Sequence, residues 1–166
     1  MSVVNIWSIN NSHGVRPVIS AVAAGTSMEN AYSYENDLMD EAFAELKSQH
    51  IISEALREKL LGAFGERFTN GLDLARSNRV KKYEFKPSNR IVWVVEGRTN
   101  DYQVIPDLPF CYCDDYYFRV MDRKRGLCYH IIAQRVAEAL GQFQKINGSD
   151  SQYSNITNRW RAKVTE

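Results

Sequence analysis

The chain of 166 residues lacks features that several classes of protein require. Its three cysteines are an odd number and all lie between residues 111 and 128, so the disulfide framework of a small secreted protein is not expected. No apolar run approaches the roughly 20 residues that a membrane span needs. The amino terminus has no basic region followed by an apolar core and a small-residue cleavage site. We therefore expect an intracellular protein that does not bind a membrane.

Catalytic signatures are missing as well. The sequence has no glycine-rich phosphate-binding loop and no pair of histidines in a catalytic pattern. Two of its three histidines, His13 and His50, lie in no recognisable catalytic setting, and its paired acids fall in acidic helical surface patterns. We therefore expect no enzymatic activity.

The composition is that of a folded domain whose charges are unevenly placed. Hydrophobic residues make up 44% and charged residues 25%. The formal net charge of +1 predicts no overall preference for nucleic acid. Residues 29–45 nevertheless contain six acids and no Lys or Arg, and residues 76–90 contain six bases and one acid. The sequence therefore predicts one negatively charged region and one positively charged region.

The apolar pattern predicts an α+β domain over residues 35–146, between a flexible arm at residues 1–34 and a tail at residues 147–166. The domain begins with three helices that form a small helical layer, the third over residues 66–77. A long amphipathic helix is predicted to begin near residue 128, after a short helix in "DDYYFRVMDR" that Gly126 ends.

Between the helices, the sequence predicts an antiparallel three-stranded sheet. The segments "VKKYEF" and "IVWVVEG" are rich in β-branched and aromatic residues, and residues 87–89 between them have turn chemistry, so they are predicted to form a hairpin. The third strand is "YQVI". Alternation places Tyr83 and Phe85 on one face and Lys82 with Glu84 on the other, which favours a core position for the two aromatic rings.

The cysteines and one histidine form two closely spaced pairs. Cys111 and Cys113 are one residue apart, as are Cys128 and His130, and 14 residues separate the pairs. Thiolates from a turn and a second pair from a helix start can surround one cation tetrahedrally, as structural zinc prefers. We expect Cys128 just before the helix and His130 in its first turn, with Gly126 allowing that geometry. Four protein ligands leave no open position, so the predicted zinc ion is structural.

Three other interpretations of this window remain open. Free cysteines are often ordinary buried core residues. A nucleophilic thiol beside a histidine is a second possibility, although catalysis needs one thiol and not three. Redox sensing is the third. None of the three explains as well why all the thiols share one window with a histidine in paired spacing.

The pattern of CxC followed by CxH, here Cys111-Tyr-Cys113 and Cys128-Tyr-His130, resembles the SWIM zinc finger. The similarity extends to "FGERFTNGLDLARSNRV", to the "RIVWVVEG" strand and to the "HIIAQRVAEAL" helix, and it covers about residues 60 to 140. Over this span the sequence resembles the small SWIM subunit of the Shu complex. The resemblance implies a zinc-stapled ββα-type finger, and it implies the nucleus in a eukaryote and the cytoplasm in an archaeon.

Two functional hypotheses follow from the residues and the resemblance. In the first, the chain is a non-catalytic, zinc-stabilised adaptor that binds a RecA-like recombinase paralogue and promotes homologous recombination, as the resemblance implies. It would do so by helping to load or stabilise the recombinase filament on single-stranded DNA. An acidic helix would meet a basic surface of that partner. Its candidate partner-binding residues are Asp37, Asp40, Glu41 and Glu45.

In the second hypothesis, the chain binds nucleic acid directly, because phosphate contacts combined with base stacking suit single strands. The hairpin interleaves bases with Tyr83, Phe85 and Trp93. Further bases lie between the ligand pairs, together with Asp114, Asp115 and Asp122. An alternative role for these bases is to neutralise the negatively charged metal site or to lie solvated on the surface. The candidate nucleic-acid-binding residues are Lys81, Lys82, Lys86, Arg90, Arg123, Lys124 and Arg125.

Overall fold

The computed structural model describes residues 28–161. Three helices come first, α1 (Met28–Gln49), α2 (Glu54–Phe64) and α3 (Glu66–Arg76). Ser53 caps α2, because its hydroxyl accepts a hydrogen bond of 3.2 Å from the Leu56 N–H. The prediction of three helices before the sheet is confirmed. No helix within the described residues is long and apolar enough to cross a membrane.

Helix α1 overlaps the segment predicted as a flexible arm. Residues 28–34 belong to this helix, so the prediction is wrong for them, while residues 1–27 lie outside the described residues. Four buried apolar side chains further along α1 anchor the helix, and adding residues to an existing helix is far easier than nucleating one. Those four are Leu38, Met39, Ala42 and Leu46.

One five-stranded sheet follows, in the spatial order β4-β3-β2-β1-β5. The first four strands are β1 (Val80–Lys86), β2 (Arg90–Glu96), β3 (Asp101–Ile105) and β4 (Phe110–Cys111), each antiparallel to its neighbour. The predicted hairpin is confirmed, with Val80 opposite Val95 and Phe85 opposite Arg90. Helix α4 (Tyr129–Leu140) then leads to β5 (Gln144–Ser149), which lies parallel to β1.

The α+β class is correct, but the prediction of three strands is wrong. Strand β4 was missed because it is only two residues long. Strand β5 was missed because "QKINGS" carries few of the residues that favour strands, and its partner β1 lies about 60 residues earlier in the chain. Its glycine has a packing reason, since a Cβ atom at Gly148 would lie 2.9 Å from the Phe85 ring.

The predicted tail is also part of the fold. Helix α5 (Asp150–Arg161) follows β5 and covers the sheet face opposite α3 and α4. Only residues 162–166 of the segment lie outside the described residues. The prediction of a tail rested on the polar composition of the segment. That composition conceals three apolar residues at helical spacing, Tyr153, Ile156 and Trp160, which pack on the sheet.

The two sheet faces therefore support separate apolar clusters. The larger cluster joins α1, α2, α3 and α4 to one face. The smaller cluster contains Phe85, Val92, Val94 and Trp160. Tyr83 packs on Trp160 with 5.1 Å between ring centroids, and Phe85 packs on Tyr153 at 5.2 Å. The core position that alternation favoured is confirmed for Phe85, which is fully buried, while Tyr83 is partly buried against the same cluster.

We predict that Trp160→Ala lowers the free energy of unfolding by about 3 kcal/mol, because truncating a buried ring removes its contacts and leaves a cavity. Urea unfolding followed by circular dichroism measures the change. Phe118→Ala, which removes an exposed ring, is the matched control and is expected to change stability by less than about 0.5 kcal/mol. Equal midpoints for Trp160→Ala and the unmodified chain would mean that α5 does not cover the sheet.

Candidate metal centre

The structure brings together the four residues that the sequence predicted as ligands. Cys111 is the last residue of β4, and Cys113 follows two positions later. Cys128 is the extended N-cap residue of α4, with φ −84° and ψ 160°, and His130 lies in the first turn of that helix, as the spacing predicted. One ligand atom from each of the four residues lies within 4.8 Å of all the others, and all four residues are buried.

His130 gives independent evidence that this cluster needs a further partner. Its imidazole is buried, and neither Nδ1 nor Nε2 has a hydrogen-bond partner. The ring lies between Tyr102 and Tyr129, with centroid distances of 4.6 Å and 3.9 Å. A buried polar group without a partner is destabilising, and a metal ion would supply a partner for one of the two nitrogens. Three thiols and one imidazole are the donor set that zinc prefers, so these four residues could hold a zinc ion.

The thiols differ in how readily they lose a proton. Burial raises the pKa of Cys111 and of Cys128 well above the usual range for cysteine. Hydrogen bonds from the Cys111 and Cys128 thiols instead lower the pKa of Cys113. The Tyr116 N–H also donates to Cys113 Sγ at 3.3 Å. Because metal binding requires thiolates, a bound ion must displace protons from these buried thiols.

The site is closed by tight packing around it. Burial raises the pKa of Tyr129 to about 12, so its phenol stays neutral beside the imidazole. A Cβ atom at Gly97 would lie 2.7 Å from the Tyr102 ring and 3.0 Å from His130 Nε2. Glycine is therefore needed after β2, because a side chain there would press on the histidine.

A buried ion pair holds the segment before Cys128, and the sequence did not predict it. Glu35 on α1 makes two hydrogen bonds of 2.8 Å with Arg67 on α3. The same carboxylate accepts hydrogen bonds from the N–H groups of Gly126 and Leu127, at 2.9 Å and 3.3 Å. Arg67 donates to the Leu127 carbonyl at 2.7 Å. We call this arrangement the Glu35–Arg67 clamp.

Gly126 matters because of this clamp and not because of an unusual backbone angle. A Cβ atom at Gly126 would lie 2.6 Å from Glu35 Cβ and 2.9 Å from the Tyr32 carbonyl oxygen. The glycine lets helix α1 approach the segment that leads into Cys128. The sequence offered only a weak signal for this contact, since Arg67 lies within the "FGERFTNGL" stretch and Glu35 within the acidic run.

The basic residues predicted to bind nucleic acid make contacts within the chain. On the hairpin, Lys81 pairs with Glu96, and Lys86 pairs with Glu84 at 2.6 Å. The other two hairpin cations lie over rings, Lys82 over Trp93 at 5.2 Å and Arg90 over Tyr153 at 5.0 Å. Between the ligand pairs, Lys124 contacts Asp122 at 2.9 Å, Arg125 contacts Asp115 at 3.6 Å, and Arg123 is exposed. Their role in binding nucleic acid stays a prediction.

The acidic residues predicted to bind a partner lie along α1. Asp37 is exposed. The three others have partners within the chain, Asp40 with Arg135 at 3.4 Å, Glu41 with Lys59 at 3.1 Å and Glu45 with the Ser53 hydroxyl at 3.3 Å. Exposed pairs of this kind contribute little to stability. The role of these acids in binding a partner stays a prediction.

We predict that Glu35→Gln weakens zinc binding by about 10-fold to 100-fold, because groups that position metal ligands commonly have effects of this size. The change removes the charge that holds Arg67 and the backbone before Cys128. Competition with a chromophoric chelator measures the affinity. Glu41→Gln, on the same helix but in an exposed ion pair, is the matched control and should leave the affinity unchanged. Equal affinities for both variants would rule out a positioning role for the clamp.

Comparison with known proteins agrees with this geometry. No family model matches the chain, and no solved structure matches it significantly. The chain is 30% identical over 121 residues to the zinc finger SWIM domain-containing protein 7 homolog of Dictyostelium discoideum, and the match covers 72% of this chain and 77% of that protein. Together with the buried cluster of three cysteines and one histidine, this similarity shows that the chain belongs to the SWIM zinc finger family.

Proposed function

We propose that this chain is a non-catalytic adaptor, stabilised by one structural zinc ion, that binds a RecA-like recombinase paralogue and promotes homologous recombination repair. The observation that carries the first part is the set of four buried side chains around one point. A tetrahedral ion held by four protein ligands has no open position for water or substrate. The recombination role is supported by the resemblance to the small SWIM subunit of the Shu complex.

The metal ion would act by joining separate parts of the fold. Its ligands come from the end of β4, from the segment after it and from the start of α4. Helix α4 packs against α1, α3 and the sheet, and most of its residues are buried. Fixing the first turn of α4 therefore stabilises the centre of the larger core.

We expect the purified chain to contain one equivalent of zinc and to lose order when the zinc is removed. Structural zinc contributes about 10 kcal/mol or more of apparent folding energy, which is comparable to the stability of a whole domain. Elemental analysis and hydrogen exchange before and after chelation measure the two effects. Protection should be lost in α4 and in residues 110–128. A chain that keeps this protection without metal would contradict the structural role.

The adaptor role requires an interaction surface, and the acidic side of α1 is our candidate. Asp37, Asp40 and Glu41 are exposed there, and residues 29–45 contain no Lys or Arg. Such a surface would attract a basic region of the recombinase paralogue and speed the encounter. The proposal implies the nucleus as the compartment if the source is a eukaryote.

Co-expression with a recombinase paralogue from the same source, followed by gel filtration, tests the adaptor role. We expect co-elution, and we expect the double variant Asp37→Lys and Glu41→Lys to slow association by about 10-fold or more at low salt. The matched control, Glu54→Lys and Glu58→Lys, places the same charge change on the exposed side of α2. Failure of every available paralogue to co-elute with the zinc-loaded chain would refute the proposal.

Direct nucleic-acid binding through the hairpin is less well supported. Of its aromatic residues, Tyr83 and Phe85 are covered by α5, and Trp93 packs against Phe143 with 4.9 Å between ring centroids. Bases cannot stack on rings that are already covered. Base stacking on the described part of the chain would therefore use other rings.

A further inference from the structure

Three apolar side chains are exposed together between the two ligand pairs. We call residues 114–127 the finger loop. Within it, residues Tyr116–Val120 form a single π-helical turn, a conformation that is rare and often found at functional sites. Tyr117, Phe118 and Met121 on and after this turn are 56%, 62% and 58% exposed. Neither the zinc site nor the core accounts for them.

The π-helical turn is supported from beneath by other rings. Phe110 on β4 packs against Tyr116 and against Tyr112, each with 4.8 Å between ring centroids. Tyr117 and Phe118 pack against each other instead, with centroids 5.1 Å apart and ring planes at 90°. The two exposed rings are therefore presented on a supported turn, and they are adjacent in the chain.

Exposed cations lie close to these rings in the sequence. The finger loop contains four bases and three acids. Arg119 pairs with Asp115 at 3.0 Å, and Lys124 pairs with Asp122 at 2.9 Å, with the Arg119 and Lys124 side chains more than half exposed. Exposed pairs of this kind contribute little to stability, so phosphate groups can compete for the cations. A docking site for an apolar protein surface would not need exposed cations such as Arg119 and Lys124 within a few residues of its rings.

We propose that Tyr117 and Phe118 form a stacking platform for single-stranded nucleic acid, with Arg119, Arg123 and Lys124 contacting its phosphates. Exposed aromatic rings beside cations are the combination that binds single strands without sequence preference. This inference deepens the proposed function, because it names the surface by which the adaptor itself touches the strand. It does not depend on which recombinase paralogue is bound.

The test measures binding of the zinc-loaded full chain to a fluorescein-labelled oligothymidylate of about 16 nucleotides by fluorescence anisotropy. Tyr117→Ala and Phe118→Ala should each weaken binding by about 5-fold to 100-fold, since one base loses its stacking partner. Phe118→Trp should retain binding. Ile91→Ala, which removes an exposed apolar side chain from the hairpin, is the matched control and should have no effect.

Salt dependence separates the two kinds of contact. Lys124→Ala should reduce the slope of log K against log salt concentration by about 1, which corresponds to the loss of one phosphate contact. Phe118→Ala should instead lower the affinity without changing the slope. Zinc content and the circular dichroism spectrum confirm that each variant is folded. The double variant Lys81→Ala and Lys82→Ala should bind as the unmodified chain does.

Two results would overturn the inference. The first is that the unmodified chain does not bind the oligonucleotide. The second is that both alanine variants bind it normally. If those variants also no longer co-elute with the paralogue, the platform is a protein-binding surface. Weaker oligonucleotide binding with normal co-elution supports the platform, and co-elution itself tests the adaptor role separately.

Discussion

The structure depends on one cluster of four buried side chains, three cysteines and a histidine, that requires a shared binding partner. Three thiols and an imidazole without hydrogen bonds lie within 4.8 Å of one another at the start of α4. Without an ion, the fold would contain a buried polar cluster that destabilises the centre of its core. With zinc, the same cluster contributes about 10–16 kcal/mol of apparent folding energy, which is as large as the whole stability of a typical domain.

The Glu35–Arg67 clamp extends this dependence to the amino-terminal helix. Glu35 holds the two peptide N–H groups that precede Cys128, so the position of one ligand depends on how α1 packs. The ion pair is 12% and 15% exposed at its two side chains, and removing one partner would leave a buried charge alone. Metal binding and the docking of α1 would therefore be linked, because each would stabilise the same segment of backbone.

The features that the sequence predicted correctly are local ones. Two residue pairs in paired spacing predict the metal site, and alternation in "VKKYEF" predicts which rings are buried. The clamp could not be predicted, since Glu35 and Arg67 are 32 positions apart and acids and bases are common on helix surfaces. Strand β5 could not be predicted either, because a polar segment becomes a strand there only through its pairing with β1.

The finger loop begins and ends next to ligands of the metal site. This arrangement offers a reason for a binding surface to lie in the loop. The loop has 14 residues between Cys113 and Cys128, and a bound ion would fix both of its ends. Closing such a loop costs conformational entropy, and binding of the metal ion would offset that cost during folding. A ligand that contacts Tyr117 and Phe118 then orders little additional backbone, so more of its stacking energy remains as affinity. A structural ion can in this way strengthen binding at residues that it does not touch.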